Sequence, residues 1–94
     1  MRIKIACDNH ISKHNCEKLN NSGYDVVLRA TDEPDWEWCT SAMLRGAEVF
    51  ISCDWDIELY CKINRLKALQ LPQGKGGKKQ YDWVKSKLDA LYGE

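Results

Sequence analysis

Short apolar segments and segments with helical spacing alternate along the whole chain. Residues 2–7, 24–28, 49–51 and 65–71 have the length and apolar pattern of β-strands. A helical segment follows each of them, and strands joined through helices require right-handed crossovers and a largely parallel sheet. A chain of 94 residues can build one hydrophobic core but not two. The sequence therefore predicts an α/β fold, a single three-layer domain over residues 1–94 with a mainly parallel sheet of about four strands flanked by helices.

Capping residues predict where the helices begin and end. Ser12 is a typical N-cap, and Gly23 suits the left-handed conformation in which many helices terminate. Further helices are predicted over 35–45 and about 56–62, and a glycine- and lysine-rich loop over 73–79. The last helix is marked by apolar residues at helical spacing, namely Tyr81, Val84, Leu88 and Leu91.

The cysteines and the apolar runs bear on the compartment. The 5 cysteines are odd in number and form no CxxC pair, which favours reduced, buried thiols over a disulfide framework. No apolar run approaches the roughly 20 residues that span a bilayer. The first residues enter a strand-like pattern with no apolar stretch of a signal peptide. We therefore expect a cytoplasmic protein without a membrane segment.

The net charge of zero hides an uneven distribution. Residues 1–60 carry 6 Lys/Arg and 11 Asp/Glu, whereas residues 61–94 carry 8 Lys/Arg and 3 Asp/Glu. An acidic site beside a basic flank suits a metal-dependent enzyme that acts on a polyanion. Ordinary surface charge on a folded domain explains the same asymmetry equally well.

Carboxylates follow the ends of two predicted strands and begin two predicted helices. Asp8 follows the first strand, and Asp54 and Asp56 follow the third. Asp35 or Glu37 lies in the first turn of the second helix. Because sites in parallel sheets form beyond the carboxyl ends of the strands, these acids are expected at one edge. Such a cluster suits Mg²⁺ or Mn²⁺, although Asp35 and Asp56 are also explained as helix caps.

Three segments resemble the PIN-like domains, and the small DUF5615-type group associated with toxin–antitoxin systems in particular. The segments are 8–12 (DNHIS), 23–27 (GYDVV) and 47–56 (AEVFISCDWD), and the resemblance covers about residues 1–60. It implies a Mg²⁺- or Mn²⁺-dependent ribonuclease fold. The acidic and catalytic positions of the family would be Asp8, Asp54 and Asp56, with Asp35, or Glu37 in its place, as a further metal ligand. The chain departs from the family at Cys53, where a histidine is common.

Other polar and aromatic residues are assigned supporting roles. Asn9 and His10 are expected beside Asp8, although Asn9 is equally explained as a turn residue. RNA contacts are expected from a basic loop and an aromatic side chain, namely Lys75, Lys78, Lys79 and Trp55. A zinc site on His10 and His14, placed four apart on one helix, is a minor alternative.

The leading hypothesis is a metal-dependent nuclease that cleaves RNA phosphodiesters. The alternative is a non-catalytic PIN-like binding protein, an inhibitor or adaptor of phage or mobile-element origin that uses exposed tryptophans. Its partner would be an antitoxin or a host protein, and a homodimer is also considered. A receiver-like or phosphatase-like domain is a weaker alternative, because it needs a lysine at the end of a late strand.

Overall fold

The alternation of strands and helices is present in the computed structural model, which describes residues 2–93. The elements are β1 (Lys4–Cys7), α1 (Lys13–Asn21), β2 (Asp25–Arg29), α2 (Asp35–Leu44), β3 (Val49–Ser52), α3 (Trp55–Ile63), β4 (Lys67–Gln70) and α4 (Gly77–Tyr92). The α/β fold predicted from the sequence is therefore confirmed.

The four strands form one parallel sheet in the order β2-β1-β3-β4. The two central strands, β1 and β3, are the most apolar, as expected for strands that are covered on both faces. Because all strands run in one direction, their carboxyl ends share one edge of the sheet. The loops that leave this edge lead into α1, α2, α3 and α4.

The sheet separates two hydrophobic layers. On one face, α1 and α4 pack over side chains such as Ile5, Val49 and Ile51. On the other face, α2 and α3 pack around Phe50 and Trp38. Side chains along β3 point alternately to the two faces of the sheet and so contribute to both hydrophobic layers. The molecule therefore has the three layers that the sequence predicts.

Three local predictions are wrong. The fourth strand begins at Lys67 and not at residue 65, because Arg65 has a φ of 59°, which is incompatible with an extended strand. Lys78 and Lys79 lie in the first turn of α4 and not in a loop. His10 precedes α1, so it does not share a helical face with His14.

Two buried amides join α1 to the first turn of α4. The Asn15 amide donates to the Gln80 side chain at 2.8 Å and to the Gly77 carbonyl at 3.0 Å. Gln80 also accepts from the Ser12 backbone and donates to the His10 carbonyl at 2.8 Å. Because buried amides are costly to leave unpaired, this network holds the loop after β1 against the start of α4.

The five cysteines are free thiols, and four of them are buried, as the sequence predicts. Burial raises the pKa of Cys39 to about 12 and that of Cys61 to about 11. Within residues 2–93, the helices all lack the combined length and apolarity that crossing a membrane requires.

The Tyr24 hydroxyl should ionise at a higher pH than an ordinary tyrosine. Tyr24 is a buried residue whose hydroxyl donates to Asp89 at 2.5 Å, and burial together with this carboxylate raises the pKa of Tyr24 to about 12. Since tyrosine in an unfolded chain ionises near pH 10, the free energy of unfolding should fall as the pH rises from about 10 to about 12. Ultraviolet difference spectra should show one of the 4 tyrosines titrating near pH 12.

The Tyr24→Phe variant is the control for this titration. It should lose the late-ionising component and show a shallower loss of stability over the same pH range. An equally steep loss in Tyr24→Phe would contradict the assignment.

Candidate metal site

Three carboxylates meet where α2 and α3 begin. Asp35 is the first residue of α2, and Pro34 before it provides an extended conformation that starts the helix. Asp54 is the N-cap of α3, and Asp56 is the second residue of that helix. The sequence places these acids at helix starts because acidic side chains favour the positive end of a helix.

Each of the three residues offers a carboxylate oxygen, and these oxygens lie within 4.8 Å of one another. Asp35 and Asp54 are partly exposed, and Asp56 is exposed. The cluster thus opens to solvent at the carboxyl-terminal edge of the sheet. Carboxylates at this separation repel each other unless a cation or a proton lies among them.

Hydrogen bonds from the protein orient two of the three carboxylates. Asp35 Oδ1 accepts from the indole nitrogen of the buried Trp38 at 3.2 Å. Asp54 Oδ1 accepts from the backbone N–H of Asp56 at 3.0 Å. Burial and the negative charges of Asp54 and Asp56 raise the pKa of Asp35, although the bond from Trp38 opposes them.

The donor set suits a small, hard divalent cation. Mg²⁺ and Mn²⁺ prefer oxygen ligands, and Mg²⁺ holds them at about 2.1 Å, so opposite ligands are about 4.2 Å apart. Of three oxygens on one octahedral ion, at most one pair is opposite and the other pairs are adjacent, about 3 Å apart, so oxygens within 4.8 Å have to close by up to about 1.8 Å to bind one ion directly. Asp35, Asp54 and Asp56 could therefore hold a metal ion, with waters or a substrate in the remaining positions.

Within residues 2–93, the carboxylate cluster does not include Asp8, which makes hydrogen bonds to other groups. Its buried carboxylate accepts from the His10 backbone at 2.8 Å, from the Ser52 hydroxyl, and contacts His10 Nδ1 at 3.1 Å. The Ser52 hydroxyl in turn accepts from the backbone N–H of Asp54 at 2.9 Å. Asp8 thus positions the start of α3 through Ser52, and its role as a metal ligand stays a prediction.

The structure also separates the two alternatives on α2. Asp35 is in the cluster, whereas the exposed Glu37 is outside it. Two residues along a helix turn by about 200°, so Asp35 and Glu37 point to opposite sides. This spacing is a sequence signal that only one of the two acids can face the site, and the orientation of α2 in the structure selects Asp35.

Of the two residues expected beside Asp8, one contacts it and the other bonds to a different loop. His10 contacts Asp8 directly. Asn9 instead donates to the Thr31 carbonyl at 2.9 Å, which joins the loop after β1 to the loop after β2. His14 is exposed on α1.

Two surface grooves adjoin the cluster. One groove of about 270 Å³ lies between α2 and α3, with Asp35 and Asp56 at its polar end and Trp36, Ile57 and Tyr60 as apolar walls. A second groove of about 290 Å³ contains Asp54 and is completed by His10, Cys53, Trp55 and Gln73. The three carboxylates therefore lie between two grooves.

The basic segment leaves the same edge of the sheet. Gln73 follows β4 and lines the groove that contains Asp54. The Gln80 amide is 3.3 Å from the Lys75 carbonyl and 2.8 Å from the His10 carbonyl, so this segment lies against the loop after β1. Lys78 pairs with Asp82 at 2.8 Å, and both side chains are largely exposed. Contact of Lys75, Lys78 and Lys79 with RNA stays a prediction.

Comparisons with known proteins identify no relative. The chain matches no protein-family model, no curated protein and no solved structure. The resemblance to PIN-like domains therefore stays a prediction from sequence motifs, and the function is inferred from the carboxylate cluster and its surroundings.

Proposed function

We propose that the protein is a Mg²⁺- or Mn²⁺-dependent, PIN-like nuclease that cleaves RNA phosphodiesters. The observation that carries this proposal is the group of three carboxylate oxygens within 4.8 Å at the starts of α2 and α3. A divalent cation bound there would activate water and offset the charge that develops on a phosphodiester. Asp35, Asp54 and Asp56 would hold the cation, and Asp8 would keep Asp54 in position through Ser52.

The two grooves support a polymeric substrate. A phosphodiester held at the cluster has one nucleoside on each side, and a groove is available on each side of the carboxylates. Trp36 is 68% exposed and forms a wall of the groove between α2 and α3, where an unpaired base could stack on it. Lys75, Lys78 and Lys79, at the same edge of the sheet, would attract the phosphate backbone without reading its sequence.

The alternative function is non-catalytic binding to a protein such as an antitoxin or a host factor. The exposure of Trp36 and Trp55 favours it, because large aromatic side chains anchor interfaces. In this case the cluster could still bind a cation, but cleavage would be absent. The two functions are separated by an RNA cleavage assay.

The assay follows a labelled single-stranded oligoribonucleotide in Mn²⁺, in Mg²⁺ and with a chelator. Cleavage should require the metal and should disappear in Asp54→Asn. Metal binding without cleavage would favour the binding protein, and the absence of metal binding would rule out the proposed site.

Trp36→Ala should separate substrate binding from chemistry. Losing one stacked base costs about 1–3 kcal/mol, so KM for RNA should rise roughly tenfold or more while kcat changes much less. The control is Leu44→Ala, which removes an exposed apolar side chain at the other end of α2. A KM unchanged in Trp36→Ala, or raised equally in Leu44→Ala, would exclude Trp36 as the base contact.

A further inference from the structure

Helix α3 carries apolar residues on its outer side as well as on its inner side. Its inner side carries Ile57 and Cys61, which are buried in the layer around Phe50. Its outer side carries Trp55, Leu59 and Ile63, which are 77%, 58% and 71% exposed. Exposed apolar side chains that lie side by side mark surfaces that contact another molecule, so the outer side of α3 is a candidate contact surface.

The three exposed residues form one stripe. They are four residues apart, so they lie along the same side of the helix. A groove of about 200 Å³ follows this stripe, with walls from Trp55, Leu59, Glu58 and Lys62. We call the surface made of Trp55, Glu58, Leu59, Lys62 and Ile63 the α3 stripe.

The charges of the α3 stripe are complementary to themselves. Glu58 lies towards the start of α3 and Lys62 towards its end. Within residues 2–93, neither of them makes an ion pair. If a second copy of α3 packs antiparallel to the first, Glu58 of each copy faces Lys62 of the other, and the apolar side chains meet between these pairs.

The acid on this surface disfavours RNA there. Glu58 is exposed in the first turn of α3 and lies outside the three-carboxylate cluster, so it would repel a phosphate backbone. An apolar stripe with one acid in the first turn and one base in the last turn instead suits an isologous contact, in which the same residues of two identical chains meet across a two-fold axis.

We infer that two copies of this chain associate through the α3 stripe, with the α3 helices antiparallel and Leu59 near the two-fold axis. Trp55 is then an anchor of the interface and not a contact to RNA. This inference does not depend on the proposed nuclease activity.

The size of the stripe sets the expected affinity. A tryptophan buries up to about 250 Å², and a standard interface buries about 800 Å² on each partner. Three exposed apolar side chains therefore supply the centre of an interface and about half of its area. We expect a reversible dimer with a dissociation constant in the micromolar range.

Sedimentation equilibrium tests the association. The protein concentration should run from about 1 µM to about 1 mM, because interfaces of this size have dissociation constants in the micromolar range or below. The mean mass should rise from 10.9 kDa towards twice that value. Leu59→Glu should stay monomeric with an unchanged circular dichroism spectrum, because Leu59 is exposed in the single chain. Leu44→Glu, which changes an 80% exposed leucine on α2, should dimerise like the unaltered protein.

Charge reversal distinguishes a second copy from a different partner. Glu58→Lys and Lys62→Glu should each weaken self-association by roughly tenfold or more, because like charges then face each other across the two-fold axis. In an equimolar mixture of the two variants, one chain carries two basic side chains at these positions and the other carries two acidic ones. Opposite charges therefore meet again, and association should be recovered. A protein that stays monomeric at the highest concentration, or a mixture that recovers nothing, would overturn the inference.

Discussion

We expect the Asp54→Asn variant to lose Mn²⁺ binding while it keeps its fold. The substitution removes one of three carboxylates from the cluster, so the Mn²⁺ dissociation constant should rise on the order of 100-fold or more, beyond the effect of losing a supporting contact. Asparagine is as good an N-cap as aspartate, so the hydrogen bond from the Asp56 backbone can be kept. Without metal, the stability should be unchanged or higher, because one source of repulsion is gone.

The measurement is the melting temperature of both proteins with and without Mn²⁺, because a ligand that binds only the folded state raises it. The unaltered protein should be stabilised by Mn²⁺ and Asp54→Asn should not. Glu37→Gln is the matched control, since it removes an exposed acid from α2 outside the cluster, and it should respond like the unaltered protein. Loss of the response in Glu37→Gln would place the metal elsewhere on α2.

The second large effect is expected from substitution of Asp8, which should lower the stability of the protein and not its affinity for metal. Its carboxylate accepts hydrogen bonds from Ser52 and from the His10 backbone. Removing it in Asp8→Ala leaves buried donors without a partner, which should lower the free energy of unfolding by about 2–3 kcal/mol. Chemical denaturation of the two proteins measures this difference.

Asp8→Asn separates the two roles considered for Asp8. An asparagine can still accept from the His10 backbone, and its amide can donate to the Ser52 hydroxyl and to His10 Nδ1 if these reverse their roles. This variant should therefore lose no more than about 1 kcal/mol and should keep Mn²⁺ binding within a few-fold. A complete loss of Mn²⁺ binding in a folded Asp8→Asn protein would make Asp8 a metal ligand.

Much of the fold was predictable because it depends on local patterns. The apolar run of β3 and the capping signals at Ser12 and Gly23 are contained in a few neighbouring residues. The start of β4 was not, because the positive φ of Arg65 is unusual for a residue other than glycine. The strand order also has no local signal, since it depends on which surfaces the helices cover.

The candidate site was predictable in part for the same reason. Parallel strands bring the helices that follow them to one edge, which is why Asp35 at the start of α2 lies near Asp54 and Asp56 at the start of α3. The Ser52 hydroxyl that donates to Asp8 comes from a different strand, and contacts between separate strands cannot be read from spacing. The choice between Asp35 and Glu37 was accessible from helical geometry, but only after the face of α2 towards α3 was known.

The most direct test of the metal site is a crystal structure of the protein grown with Mn²⁺, with an anomalous difference map to locate the ion. The expected result is one peak within coordination distance of Asp35, Asp54 and Asp56. The absence of a peak at these carboxylates in Mn²⁺-containing crystals, or a single peak at Asp8 alone, would contradict the proposed site.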